Sequence, residues 1–206
     1  MNRLLIKVCG MRQPDNIAAL AGLNPDFMGF IFYEKSPRHA ADLDQNVLRE
    51  CPPGIKKVGV FVNAPLESIL AKADHYGLDF IQLHGDEPAE FAARLKQHGL
   101  HVIKVFRIAE SLPPDMAEFA ESSEYFLFDT ATKAYGGSGE QFNWSLLREA
   151  HIPRPYLLSG GIAPGHIADI KSMRLPGCLG IDINSRFETA PGLKNIELIQ
   201  QIIPQL

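Results

Sequence analysis

Leu4-Leu5-Ile6-Lys7-Val8-Cys9-Gly10-Met11 is a short apolar run broken by one lysine and closed by a cysteine and a glycine. Such a run reads as a buried strand that delivers a thiol to a loop. Similar runs recur at Phe27 to Phe32, Lys56 to Val62, Phe80 to Leu83, His101 to Phe106, Tyr125 to Asp129, Tyr156 to Leu158 and Leu179 to Asp182. Helix-like stretches separate most of them. Asn16 to Ala21 follows Pro14, a short one surrounds Asp44 to Cys51, and Pro65 to Tyr76 places Leu66, Ile69, Leu70 and Ala73 on one face. Others run from Pro88 to Gln97, Trp144 to Ala150, His166 to Ser172 and Leu193 to Ile203, whereas Arg107 to Ser123 is only weakly helical around Pro113-Pro114.

Continuously apolar strands alternating with helices imply a parallel sheet covered by helices. About eight such units favour a closed (β/α)8 barrel, the TIM-barrel architecture, over an open doubly wound sheet. The expectation is one barrel domain over residues 1–206, with helix five weak or irregular.

The chain has 206 residues, of which 46% are hydrophobic and 21% charged, with a net charge of −4. This gives no basic footprint for nucleic acid and no polybasic patch for an anionic membrane. No apolar run approaches the length of a membrane span. The start, Met1-Asn2-Arg3, shows no secretory-signal core. Cys9, Cys51 and Cys178 are odd in number and far apart, which argues against a disulfide framework and for a reducing cytoplasm.

In such a barrel the site forms at the C-terminal strand ends. The polar residues falling there are Cys9, Arg38, Gln82, His84, Asp129, Ser159-Gly160-Gly161 and the segment from Asp182 to Ser185. Loops seven and eight commonly hold phosphate through bare backbone N–H groups, so Gly160, Gly161, Asn184 and Ser185 are candidate phosphate ligands. Two ordinary tight turns would read the same way. Gly136-Gly137-Ser138-Gly139 fits neither a dinucleotide fingerprint nor a P-loop, and reads as a flexible lid or a long connection.

Each side chain has a bland reading beside the functional one. Free cysteines usually act as small hydrophobes, and Cys51 and Cys178 read so. Cys9, at a strand end before a glycine, is a candidate base, but a thiol with a pKa near ~8.5 needs local help to ionise. Lys7 lies on the same side of the strand and supplies that charge, or else simply fills the barrel interior. Asp129 ends an apolar strand, where desolvation favours the protonated carboxyl unless it is paired; it is a general acid or a loop anchor. Arg38 grips a substrate carboxylate or is solvated. Gln82 and His84 orient substrate or satisfy the loop. The histidines show no metal-ligand spacing, so no metal is expected.

Lys7-Val8-Cys9-Gly10-Met11, Ser36-Pro37-Arg38, Gln82-Leu83-His84-Gly85, Phe128-Asp129-Thr130, Gly137-Ser138-Gly139 with Phe142-Asn143-Trp144, Leu158-Ser159-Gly160-Gly161-Ile162 and Gly180-Ile181-Asp182 occur in this order. As an ordered set the chain resembles the phosphoribosylanthranilate isomerase family from Lys7 to Glu188. The resemblance implies a cofactor-free (β/α)8 enzyme of tryptophan biosynthesis, monomeric or homodimeric. It would convert N-(5-phosphoribosyl)anthranilate to the 1-deoxyribulose 5-phosphate aminoketose by an Amadori rearrangement. It further implies Asp129 as general acid, Cys9 as general base, Arg38 on the anthranilate carboxylate, Gln82, His84 and Asp182 around the substrate, and the turns of loops seven and eight on the phosphate. A rival reading, a phosphosugar-binding barrel without chemistry, leaves the pairing of Cys9 with Asp129 unexplained. One departure stands out: Asn184-Ser185-Arg186 replaces the family's serine-serine-glycine run, and arginine takes a positive φ less freely than glycine.

Overall fold

The strand that opens the chain is flanked by the second strand and the last one of a closed sheet. β1 (Leu5–Cys9) pairs in parallel with β2 (Phe27–Ile31), Cys9 opposite Gly29, and with β8 (Cys178–Ile183), Lys7 opposite Asp182. The other strands are β3 (Lys56–Phe61), β4 (Phe80–Leu83), β5 (His101–Ile108), β6 (Tyr125–Thr130) and β7 (Tyr156–Leu158). They follow in sequence order and close into a parallel barrel. The structure, a computed structural model, describes residues 3–40, 43–131 and 141–206.

The strands are apolar throughout because both of their faces are covered. Inward positions build one cluster from Phe27, Val58, Phe80, Ile103, Val105, Leu127 and Leu157, with Leu5 and Tyr125 against it. Outward positions such as Ile6, Val8, Met28, Phe30, Ile81, Leu83, Phe126 and Phe128 join the larger cluster under the helices. Phe27, Phe80 and Tyr125 plug the N-terminal end of the barrel, their ring centroids 5.7 to 6.2 Å apart. Edge-to-face and tilted contacts of this kind suit the aromatic quadrupole. Further along the same strands the inward positions turn polar: Lys7 and Cys9 on β1, Gln82 on β4, Asp129 on β6 and Asp182 on β8.

α1 (Pro14–Ala21), α2 (Gln45–Arg49), α3 (Leu66–Tyr76), α4 (Ala89–Gln97), α5 (Ile167–Met173) and α6 (Ile196–Ile202) lie between or after the strands. Pro14 opens α1, the Asp44 carboxylate accepts from Asn46 N–H at the start of α2, and Gly77 ends α3 with φ +59°. None of the described helices is long and apolar enough to cross a membrane.

The structure departs from the sequence reading in three places. β5 runs two residues past Phe106 to Ile108, while the fifth helix, expected to be weak or irregular, is so: it is the 3-10 turn Pro114–Phe119. Pro113-Pro114 withholds the N–H groups that a longer α-helix would use. The helix expected from Trp144 to Ala150 is only the 3-10 turn Trp144–Leu147. So short a run between Asn143 and Pro153 cannot offset the cost of nucleation. At the C-terminus, Leu193-Lys194 is not helical. It forms β10 (Leu193–Lys194), paired antiparallel with β9 (Glu188–Ala190) across Pro191-Gly192, and α6 starts after Asn195, whose side chain accepts from Leu198 N–H.

Candidate active site

Every residue singled out above as a catalytic, substrate or phosphate candidate borders one pocket at the C-terminal mouth of the barrel. Cys9 reaches it from the end of β1, buried, with Sγ against the backbone of Gly29; a Cβ at residue 29 would sit 2.8 Å from the sulfur. One layer below, Lys7 is fully buried and its Nζ lies 2.8 Å from Asp182 Oδ1. The lysine therefore fills the barrel interior and also places a cation beside the thiol. Burial pulls an ammonium toward neutrality, but Asp182 and Cys9 together outweigh it and raise Lys7 above its ordinary value. Burial pushes the Cys9 thiol up, while Lys7 and Lys194 pull the other way.

Asp129 ends β6 with its two oxygens in different surroundings. Oδ1 accepts from Thr130 N–H at 2.8 Å, and Oδ2 faces His84 Nε2 at 3.4 Å. Gln82 and His84 sit two residues apart on the exit of β4, and Gln82 Nε2 lies 3.1 Å from His84 Nδ1. Gln82 is 1% exposed and its Oε1 has no partner. Gly160 crosses the end of β6 with φ +84°, and a Cβ there would meet Thr130 Oγ1 at 2.4 Å, so only glycine lets loop seven lie this close to Asp129. Gly161 also has positive φ, and no described backbone carbonyl accepts from the amide of either glycine.

Arg38 is buried rather than solvated. Its Nε and Nη2 grip Glu188 at 2.8 to 3.0 Å, a bidentate pairing that leaves the Nη1 side of the guanidinium for another group. Glu188 also accepts from Lys194 Nζ, which donates in turn to Asn184 Oδ1 at 2.7 Å. Burial alone would raise the Glu188 carboxyl, but hydrogen bonds from Arg38 and the charge of Lys194 outweigh it and hold it below the usual carboxylate range. Asn184 thus comes to the pocket with its carbonyl end occupied.

At Arg186 the missing glycine is not needed. The residue lies in the 3-10 turn Ser185–Phe187, its φ is not positive, and the side chain is exposed. The strain expected of arginine at that position therefore does not arise. The Gly136-Gly137-Ser138-Gly139 lid reading falls outside the described residues. Cys51 and Cys178 are unpaired and away from the pocket, and burial pushes the Cys178 thiol up to about 11.

Sequence reasoning missed Glu188 and Lys194. Their signal was the turn dipeptide Pro191-Gly192, which marks a hairpin and so brings the residues on either side of it together.

The family model described as N-(5'phosphoribosyl)anthranilate (PRA) isomerase matches residues 6–205. The chain is 45% identical over 204 residues to N-(5'-phosphoribosyl)anthranilate isomerase of Phocaeicola vulgatus, covering 98% of each. Among solved structures it is similar to phosphoribosyl anthranilate isomerase from Thermotoga maritima, with a TM-score of 0.83, 32% identity and 98% of each chain covered. A second is a phosphoribosyl anthranilate isomerase in complex with reduced 1-(o-carboxyphenylamino)-1-deoxyribulose 5-phosphate, with a TM-score of 0.78, 30% identity and 98% of each chain covered.

Proposed function

The chain belongs to the N-(5'-phosphoribosyl)anthranilate isomerase family, and on that premise we propose that Cys9 and Asp129 are the base and the acid of its reaction. It is an intramolecular aldose–ketose isomerase of tryptophan biosynthesis. The observation that supports the assignment is the approach of one thiol and one carboxyl, from the ends of β1 and β6, to the same pocket.

The proton steps follow from the substrate. Asp129 gives a proton to the furanose ring oxygen; the C1–O bond breaks and its electrons stay on oxygen while C1 becomes a protonated Schiff base. Cys9 then takes the proton from C2, and the C–H electrons form the C1–C2 double bond of an enolamine. Loss of the C2 hydroxyl proton and gain of one at C1 complete the aminoketose. The substrate's own nitrogen accepts the electrons, so positioned acid and base groups suffice. Cys9 works as a thiolate, and Lys7 and Lys194 are the buried cations that favour it.

The free side of Arg38 suits the anthranilate carboxylate. Gly160 and Gly161, with Asn184 and Ser185 beside them at the end of the neighbouring strand β8, suit the phosphate, because positive-φ glycines let backbone N–H groups converge on an anion. Three unpaired cysteines accord with a reducing cytoplasm.

Asp129→Asn and Cys9→Ala are each expected to lower kcat by about 10²-fold or more while product-analogue affinity stays within about threefold. Turnover is followed through the fluorescence of the anthranilate-linked substrate. Near-normal turnover in either variant would remove that residue from its role.

A further inference from the structure

The reaction leaves the site out of register with its own start: each turnover ends with Asp129 as a carboxylate and Cys9 as a thiol. Before the next substrate reacts, a proton must return to Asp129 and another must leave Cys9. The geometry points to His84 as the group that returns the proton to Asp129, with Gln82 fixing its ring. This rests on the reading of Asp129 as the acid.

Asp129 Oδ1 is committed to Thr130 N–H at 2.8 Å, so Oδ2 is the oxygen available to exchange a proton, and it faces His84 Nε2 at 3.4 Å. The contact is not aligned as a hydrogen bond, since Nε2 has no hydrogen-bond partner. On the far side of the ring, Nδ1 lies 3.1 Å from the Gln82 amide, whose Oε1 is buried with no partner. The two ends of an amide differ in role and interchange by a half-turn. With Nε2 of Gln82 against the ring, Nδ1 is an acceptor, and a neutral imidazole then carries its proton on Nε2, toward Asp129. With Oε1 against it, Nδ1 keeps a proton of its own and Nε2 becomes the exchanging atom.

The step balances in that second arrangement. A solvent proton entering through the pocket adds to Nε2 once product has left, giving an imidazolium held at Nδ1–H by Gln82 Oε1. The Nε2–H bond then breaks, its electron pair remains on Nε2, and an O–H bond forms at Asp129 Oδ2. The neutral ring accepts a hydrogen bond from the acid it has charged. An imidazole can take a proton on one ring nitrogen and hand it on, which suits it to pass protons between water and a carboxyl. The His84 side chain is 12% exposed at the pocket while Nε2 itself is buried beside Asp129, so a proton from water reaches Nε2 through a small outward movement of the ring. Asp182, from β8, is another carboxylate lining the pocket, and the charges of Asp129 and His84 both reach it.

The test compares the first turnover, measured by rapid mixing with enzyme in excess, with the steady state. His84→Ala is expected to hold the first turnover within about threefold, to lower steady-state kcat by about tenfold or more, and to leave KM within about threefold. Added imidazole should restore kcat along a saturable curve. Gln82→Leu keeps the ring but not its anchor, and should lower kcat by a smaller factor that imidazole does not restore. A raised KM with unchanged kcat in His84→Ala would overturn the proposal in favour of simple substrate holding. Equal losses in first turnover and steady state, without imidazole rescue, would reduce His84 to a structural part. Asp129→Asn serves as the control: if its first turnover persists, the acid assignment itself fails, whatever His84 does.

Discussion

Cys9 carries the sharpest physical conflict in the molecule. Burial favours the thiol, whereas the proposed reaction needs the thiolate, and a thiol's ordinary value already lies above neutrality before burial raises it. The thiolate fraction therefore increases with pH through neutrality, and the rate of Cys9 alkylation is expected to climb toward the alkaline side. Lys7 opposes the effect of burial from one layer below, and Lys194 opposes it from β10. Replacing Lys7 removes a lowering charge, so the sign is upward: Lys7→Met moves the alkaline limb to higher pH. Each unit of displacement costs about tenfold in thiolate at fixed pH. Because Lys7→Met alone strands a buried Asp182, the paired variant Lys7→Met/Asp182→Asn keeps the layer neutral. The rate of Cys9 alkylation by iodoacetamide against pH reads the displacement without substrate. A limb that stays in place in both variants would show that Lys7 does not tune the thiol.

At the scale of elements, the barrel strands were legible and the small pieces were not. Each strand of β1 to β8 is a compact apolar run whose reading survives a slip of a residue or two. Asp129 and Cys9 were legible for the same reason, since a polar residue ending an apolar run must lie at the sheet's rim. β9 and β10 are three and two residues long, too short for any periodicity, and the terminal helix pattern absorbed Leu193-Lys194. With them went the ion-pair set of Arg38, Glu188 and Lys194: the Pro191-Gly192 turn marks only its Glu188–Lys194 half, and the link from Arg38 to Glu188, 150 positions apart, has no local signature. That set makes a prediction. Glu188→Gln releases one edge of the Arg38 guanidinium, so KM should rise by about tenfold with kcat within about threefold. The acid stability profile should change too. Glu188 is held below its ordinary 4.5, so its contribution is present above that value and is lost as pH falls through the depressed one. The wild-type unfolding midpoint should drop across that window and the variant's should drop less, as read by thermal melts between neutral and acid pH.

Across the whole molecule the barrel separates stability from chemistry by length along the strands. The aromatic plug of Phe27, Phe80 and Tyr125 fills the N-terminal end, the aliphatic layer of Val58, Ile103, Val105, Leu127 and Leu157 lies among the same inward positions, and the polar layer with Cys9 and Asp129 occupies the mouth. β1 closes the ring by pairing with β8, so a defect at the plug is shared by the entire sheet instead of being confined to one edge. Closure also keeps the mouth's spacing fixed by backbone register, which does not depend on how well the far end is packed. Phe80→Ala removes the ring that contacts both Phe27 and Tyr125. It is expected to cost about 3 kcal/mol, measured by urea unfolding, because the cavity cannot collapse within a closed sheet. kcat and KM, measured where the variant is still folded, should each stay within about twofold of wild type. A loss of kcat comparable to that of Cys9→Ala would mean that the plug and the mouth are mechanically coupled, and that register alone does not hold the acid and the base in place.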